Sequence, residues 1–127
     1  TYINEVLKVK SNMDSGMFYG IQKGAIKALQ LSDKWFQDQN KIYEERRKLV
    51  WQLADKLNAK YDKNATGLFV WAKIPEGKKA EEITDAVLYD KDIFITPGSI
   101  FGSQGEGYIR FSLCVSEVVI TEAISRF

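Results

Sequence analysis

The 127-residue chain contains no histidine and only one cysteine, Cys114. The absence of histidine excludes Ser-His-Asp and Cys-His catalysis within this chain and removes the imidazole ligands that many zinc sites use. A lone cysteine cannot form an internal disulfide, so we expect a reducing, cytoplasmic compartment. We also expect no metal site, and we expect Cys114 to be a small buried hydrophobic residue.

The chain also lacks a large excess of charge and a long hydrophobic run. Its 18 Lys and Arg residues nearly balance its 17 Asp and Glu residues, for a net charge of +1. This balance does not favour a nucleic-acid or anionic-membrane partner, and no apolar run approaches the ~20 residues that span a bilayer. Hydrophobic residues make up 45% of the chain, which is typical of a globular protein. We therefore expect a single domain over residues 1–127.

Apolar periodicity predicts an α+β fold. A polar turn at 11–16 comes before a predicted helix at 15–31 and a longer one at 33–58. The remaining predicted elements are strands at 67–72, 93–96 and 108–113 and helices at 80–90 and from 116 onwards. The last two strands are joined without a helix, which favours antiparallel pairing. Together these elements predict a two-layer sandwich of helices on a small, mostly antiparallel sheet, with a long N-terminal helical segment.

Two short segments complete the predicted sheet. Residues 60–64 are predicted to form a turn or a short edge strand after the long helix. Residues 67–72 read Gly-Leu-Phe-Val-Trp-Ala and are apolar on both faces. This pattern is typical of a central strand that is covered on both sides, so we expect Trp71 to lie in the core.

The strand at 108–113 carries the first candidate functional residue, Arg110. A glycine-rich loop leads into this strand, and strand alternation places Tyr108, Arg110 and Ser112 on one face. The arginine guanidinium is a planar fork that matches a carboxylate or phosphate with two parallel hydrogen bonds. The pattern therefore predicts an anion clamp for a small substrate. The alternative is an edge-strand arginine that is solvated or paired with a nearby glutamate.

Four segments in register resemble a known family. They are KVKSNMDSG at 8–16, GLFVW at 67–71, ITPGSIFG at 95–102 and GEGYIRFSL at 105–113. In this order they resemble the C-terminal third of the class I/II aminotransferases, which are fold-type I, pyridoxal-phosphate-dependent enzymes. The most similar subgroup is that of the aspartate, alanine and LL-diaminopimelate aminotransferases. The resemblance extends from about residue 8 to residue 127.

The resemblance implies roles for the candidate site residues. It implies that Arg110 binds the α-carboxylate of the substrate and that Pro97, Gly98 and Phe101 help to shape the substrate pocket. For the full-length protein it implies transamination between an amino acid and a 2-oxo acid, with pyridoxal phosphate as cofactor and a homodimer as the assembly.

The cofactor site is expected to lie mainly outside this chain. The resemblance places Ser11 and Asn12 near the dimer interface, where they could reach the cofactor of the neighbouring subunit. The family's Schiff-base lysine has no match, because Lys8 and Lys10 follow the point where its motif should occur. We therefore expect an excised C-terminal small domain with no catalytic residue of its own. Alone, it should be inactive and should not hold pyridoxal phosphate.

Two other functional classes are compatible with parts of the sequence. A freestanding α+β module could bind a small anion or a partner protein without catalysis. Alternatively, residues 107–111 could form an aromatic platform for single-stranded RNA on a sheet. The near-neutral charge and the lack of a second aromatic strand motif of this kind argue against the RNA platform.

Overall fold

The computed structural model describes all 127 residues and contains five helices and a four-stranded sheet. The helices are α1 (Tyr2–Met13), α2 (Tyr19–Leu29), α3 (Asp33–Lys56), α4 (Ala80–Lys91) and α5 (Glu117–Ser125). The strands are β1 (Lys60–Tyr61), β2 (Phe69–Lys73), β3 (Thr96–Pro97) and β4 (Tyr108–Ser112). Two 3₁₀ turns, Gly98–Phe101 and Ser103–Gly105, lie between β3 and β4. The predicted α+β class is confirmed.

The chain divides into two compact units, Thr1–Gln37 (unit 1) and Asp38–Phe127 (unit 2), with α3 beginning in the first and ending in the second. Unit 1 contains α1 and α2, and no residue of either helix is buried. Unit 2 contains the sheet, α4 and α5. The expectation that residues 1–127 form one domain stays a prediction.

The sheet of unit 2 has the strand order β1-β2-β4-β3, and every neighbouring pair is antiparallel. The predicted antiparallel pairing of the last two strands is therefore confirmed, and so is the edge position of the short strand at 60–61. β4 is central and pairs with β2 on one side and with β3 on the other. A side chain in the middle of β4 is consequently flanked by side chains of β2 on one side and of β3 on the other.

The hydrophobic core lies on one face of this sheet. Strand alternation buries Val70 and Ala72 of β2, and Ile109 and Phe111 of β4. The buried helical residues in the same cluster are Val50, Leu53 and Ala54 of α3, Ala80 and Val87 of α4, and Ile120 of α5. The helices thus form one layer and the sheet forms the other, and the outer face of the sheet is left for the candidate site.

The prediction that 67–72 is covered on both sides is wrong. β2 alternates between exposed and buried residues, and Trp71 is 40% exposed on the outer face. The β-branched and small residues of this strand fill the core, while its aromatic residues point the other way. The predicted burial of Cys114 is also wrong, because this residue lies just after β4 and is exposed.

The N-terminal segment also differs from the prediction. Residues 11–13 belong to α1, and the predicted turn at 11–16 is replaced by a helix end at Met13. Ser11 Oγ and Asn12 Nδ2 donate to the carbonyl oxygen of Lys8, at 3.1 and 2.7 Å. Such bonds to the preceding turn allow residues that usually favour turns to remain helical. α2 also starts later than predicted, at Tyr19, because Phe18 is outside the helical region.

None of the five helices combines the length and the apolar character that crossing a membrane requires. The chain also has no group of three Cys, Asp or Glu side chains arranged to hold a metal ion.

Candidate functional site

Arg110 occupies the centre of the outer face of the sheet. In the ladder it lies opposite Trp71 of β2 and opposite Thr96 of β3. Directly opposed residues of antiparallel strands point to the same face. The predicted alternation of β4 is confirmed, since Ile109 and Phe111 are buried while Tyr108 and Arg110 are partly exposed.

Two phenyl rings contact the Arg110 guanidinium. Its central carbon, Cζ, lies 4.2 Å from the ring centroid of Phe69 and 4.4 Å from that of Phe101. Both distances are well within the roughly 6 Å range of cation–π attraction. Phe69 belongs to β2 and Phe101 to the first 3₁₀ turn, so the two rings reach the guanidinium from separate elements.

The nitrogen atoms of Arg110 are in two different environments. Nε is buried and has no hydrogen-bond partner, whereas Nη1 and Nη2 reach the surface. No Asp or Glu carboxylate forms an ion pair with this arginine. Pairing with a glutamate, which was one alternative, is therefore wrong. The terminal nitrogens remain available for an anion from outside the chain.

The loop between β3 and β4 holds Phe101 in place. Gly98 is buried, and a Cβ at this position would overlap the Gly105 carbonyl oxygen and lie 3.0 Å from Cη2 of Trp71. Only glycine allows the two 3₁₀ turns to pack this closely. Ser99 Oγ also donates to Glu81 Oε1 at 2.9 Å, which ties the loop to the first turn of α4.

The second end of the loop is attached to the same helix by Glu106. Its Oε1 accepts the backbone N–H of Ala80 and that of Gly107, both at 3.1 Å. Ala80 is the first residue of α4, so its N–H has no partner within the helix. A carboxylate in this position also interacts favourably with the positive end of the helix dipole.

The predicted site residues fall into two groups. Arg110 and Phe101 are in direct contact, while Pro97 pairs with Ile109 in the ladder and Gly98 follows it in the loop. These four residues all belong to unit 2. Ser11 and Asn12 belong to unit 1, where their side chains bond to the local backbone. Their proximity to a cofactor stays a prediction.

A cavity of about 470 Å³ adjoins Arg110. Its walls are mainly apolar side chains of β4, the segment before β3 and helices α3 and α5, among them Leu53, Phe94, Val119 and Ile120. The space lies where β4 continues beyond the two-residue β3, so its edge is unpaired there.

Sequence reasoning missed two residues of the site, Phe69 and Trp71. Trp71 stacks on Tyr108, with ring centroids 5.4 Å apart and an interplanar angle of 16°, and its ring meets that of Phe101 edge-on at 5.9 Å. Strict alternation along 69–73 would have placed both residues on one face with Lys73. The lysine at the end of this run was the signal that this face is exposed.

Comparison with known proteins assigns the chain to a family. The sequence profile of the family described as "Aminotransferase class I and II" matches residues 2–127. The chain belongs to this aminotransferase family. The resemblance inferred from the four sequence segments is thereby confirmed, and the family is generally dependent on pyridoxal phosphate.

Individual relatives show how much of an aminotransferase this chain matches. It is 40% identical over 119 residues to the LL-diaminopimelate aminotransferase of Maridesulfovibrio salexigens. The match covers 94% of this chain and 31% of that enzyme. The structure of apo-BacF from Bacillus subtilis matches 98% of this chain and 32% of its own, with 30% identity and a TM-score of 0.79. The L,L-diaminopimelate aminotransferase of Chlamydomonas reinhardtii matches 94% of this chain and 30% of its own, with 26% identity and a TM-score of 0.76. The chain thus spans about a third of the length of these proteins.

The residues around Arg110 do not fit pyridoxal phosphate. Such a site needs a lysine for covalent attachment and several donors for the phosphate. The neighbours of Arg110 are Phe69, Phe101, Trp71 and Thr96, and none of them is a lysine. One guanidinium among aromatic rings can pair with a carboxylate, but it supplies neither the lysine nor the set of phosphate donors that the cofactor needs.

Proposed function

We propose that the whole protein is an aminotransferase that transfers an amino group between an amino acid and a 2-oxo acid. In this proposal the chain contributes the clamp for the substrate α-carboxylate, and Arg110 is that clamp. The observation that carries the proposal is the state of the guanidinium: it is held by two rings at 4.2 and 4.4 Å and forms no ion pair. Family membership supports the reaction class.

The clamp acts by binding and orienting. An amino acid and its 2-oxo acid both carry a carboxylate on the reacting carbon, so a single guanidinium serves both directions of the transfer. Because Nε is buried, the carboxylate is expected to bind end-on through Nη1 and Nη2. Fixing the carboxylate limits the rotation of the reacting carbon, so the entropic cost of orienting that carbon is met when the substrate binds.

The remaining parts of the proposal concern the full-length protein. We infer that pyridoxal phosphate is bound by residues outside this chain, that Ser11 and Asn12 lie near it, and that the active form is a cytoplasmic homodimer. Residues 1–127 alone should show no transamination. The names of the relatives make LL-diaminopimelate the first amino donor to test.

The test is a pair of substitutions in the full-length protein, Arg110→Ala and Arg110→Lys. We expect Arg110→Ala to lower kcat/KM about a hundred- to a thousandfold, because a charged partner of a carboxylate is lost. Lysine keeps the positive charge but lacks the planar guanidinium fork, so kcat/KM of Arg110→Lys should lie between those of the wild type and Arg110→Ala. Lys41→Ala, an exposed change on α3, is the control. Activity of Arg110→Ala within threefold of the wild type would overturn the proposal.

A further inference from the structure

We infer that Phe69 and Phe101 are positioning residues that set the affinity of Arg110 for a carboxylate. This inference rests on the proposed function, because it concerns the same guanidinium. It assigns a role to the rings themselves: they hold the cation in place, and they do so without using its hydrogen-bond donors.

The geometry supports this role. The two rings lie at nearly equal distances from Cζ of Arg110, 4.2 and 4.4 Å, although they come from different elements. Phe69 is fixed on β2, which is paired with β4 over five residues. Phe101 is fixed by the packed turns of the loop, where a Cβ on Gly98 would overlap the Gly105 carbonyl oxygen and lie 3.0 Å from the Trp71 ring. The rings are therefore supported independently of Arg110.

Unlike an ion pair, aromatic contacts leave the N–H donors of Arg110 free to bind a ligand. A glutamate beside Arg110 would hold the side chain but would compete with the substrate for the same nitrogens. A phenyl ring attracts the cation through its π face and accepts no strong in-plane hydrogen bond. With Nε buried and without a partner, the rings hold the guanidinium with only Nη1 and Nη2 available to a ligand. The site is thus pre-organised before a carboxylate binds.

This arrangement predicts a specific kinetic signature. The substrate carboxylate is bound in the ground state and in the transition state alike, so losing a ring should weaken both equally. Such a loss raises KM and leaves kcat nearly unchanged. We expect about a tenfold rise in KM for the amino acid and for the oxo acid when either ring is removed.

The experiment compares ring removal with ring retention in the full-length protein. Phe69→Leu and Phe101→Leu keep apolar bulk and remove the π system, whereas Phe69→Tyr and Phe101→Tyr keep the ring. Tyr89→Leu is the control, because Tyr89 is 81% exposed on α4 and has no ring contact. KM and kcat are measured for both substrates, with near-UV circular dichroism to compare folding. The dissociation constant of pyruvate is compared with that of its uncharged amide, pyruvamide.

The result expected is a higher KM in both leucine variants, near-normal KM in both tyrosine variants and no change in Tyr89→Leu. Pyruvate should also lose affinity in the leucine variants while pyruvamide does not. Leucine variants with wild-type KM would overturn the inference, and the proposed function would stand if Arg110→Ala still lowers kcat/KM. If Arg110→Ala leaves kcat/KM within threefold of the wild type, both are overturned. A tyrosine variant that is as impaired as its leucine counterpart, with intact folding, would also overturn the role of the ring.

Discussion

Gly98 and Gly105 pack backbone against backbone, so that a Cβ on either residue would overlap the carbonyl group of the other. The same Cβ on Gly98 would also lie only 2.7 Å from the carbonyl oxygen of Tyr108. Backbone atoms cannot move aside as the end of a flexible side chain can. This contact therefore closes the loop that holds Phe101 beside Arg110.

Gly98→Ala is expected to open this loop. The added methyl group has to displace backbone, and overpacking of this kind costs about 1–3 kcal/mol. Because Phe101 would move with the loop, the substrate carboxylate should also bind more weakly. Faster hydrogen–deuterium exchange over residues 98–108 and a higher KM in the full-length protein are the expected results.

Gly24→Ala provides a matched control for this substitution. Gly24 lies within α2, and nothing approaches within 4 Å of a Cβ built on it. Alanine in a helix interior is better than glycine by about 0.5–1 kcal/mol. The same chemical change should thus stabilise α2 and leave KM unaltered. Equal exchange rates over 98–108 in wild type and Gly98→Ala would contradict the steric account of the loop.

Glu106→Ala is expected to loosen the start of α4. The substitution leaves the N–H groups of Ala80 and Gly107 without their acceptor, and losing a helix cap of this kind costs about 1 kcal/mol. Glu106→Gln keeps a side-chain oxygen and should retain part of the effect. Exchange of the amides in residues 80–84 measures the change. Glu76→Ala is the control, because Glu76 is exposed in a turn and its side chain forms no hydrogen bond or ion pair. Equal protection of these amides in both variants would contradict the cap.

The sequence was sufficient to predict most elements of unit 2 and the direction of Arg110, but the strand predicted at 93–96 is wrong in position, since β3 covers Thr96–Pro97. Alternation along 108–112 depends only on the two-residue period of a strand. That period places Arg110 on one face of β4 and the buried Ile109 and Phe111 on the other face. The same rule failed for Trp71 because the run at 67–72 contains no polar residue to mark its outer face. Aromatic residues occur both in hydrophobic cores and at binding sites, so the residue type alone does not predict which of these locations Trp71 occupies.

The contacts of Arg110 could not be predicted from the sequence. Phe69 is 41 positions away along the chain, and its approach depends on the register in which Phe69 pairs with Ser112. A shift by one residue would turn its ring to the core. Phe101 was expected at the pocket from the family resemblance, but its distance from the guanidinium depends on the packing of Gly98 against Gly105. Such packing is a property of the folded chain.

Arg126→Ala is expected to fray the end of α4. Nη1 of Arg126 donates to the carbonyl oxygens of Lys91 and Asp92, both at 3.1 Å. Asp92 ends the helix in the left-handed region at φ 53°. Losing charged hydrogen bonds to these carbonyls should cost about 1–2 kcal/mol. Arg126→Lys keeps the charge near the helix end and should retain part of the protection. Exchange of the amides at 88–93 measures both variants, and unchanged rates in Arg126→Ala would refute the cap.

An ion pair between Arg46 and Glu117 joins α3 to α5. The pKa of Glu117 is lowered from 4.5, first by a hydrogen bond from its own backbone N–H and then by Arg46, whose Nε donates to Oε1 at 2.9 Å. A lowered folded-state pKa stabilises the protein fully above the unfolded value, and this contribution is lost as the pH falls below 4.5. Glu117→Gln should therefore be less stable than the wild type at pH 7, and the difference should shrink in acid. Urea unfolding at pH 7 and at about pH 3.5 measures the difference. Glu76→Gln is the control. If the difference in unfolding free energy between Glu117→Gln and the wild type is the same at both pH values, the charge of Glu117 does not stabilise the protein.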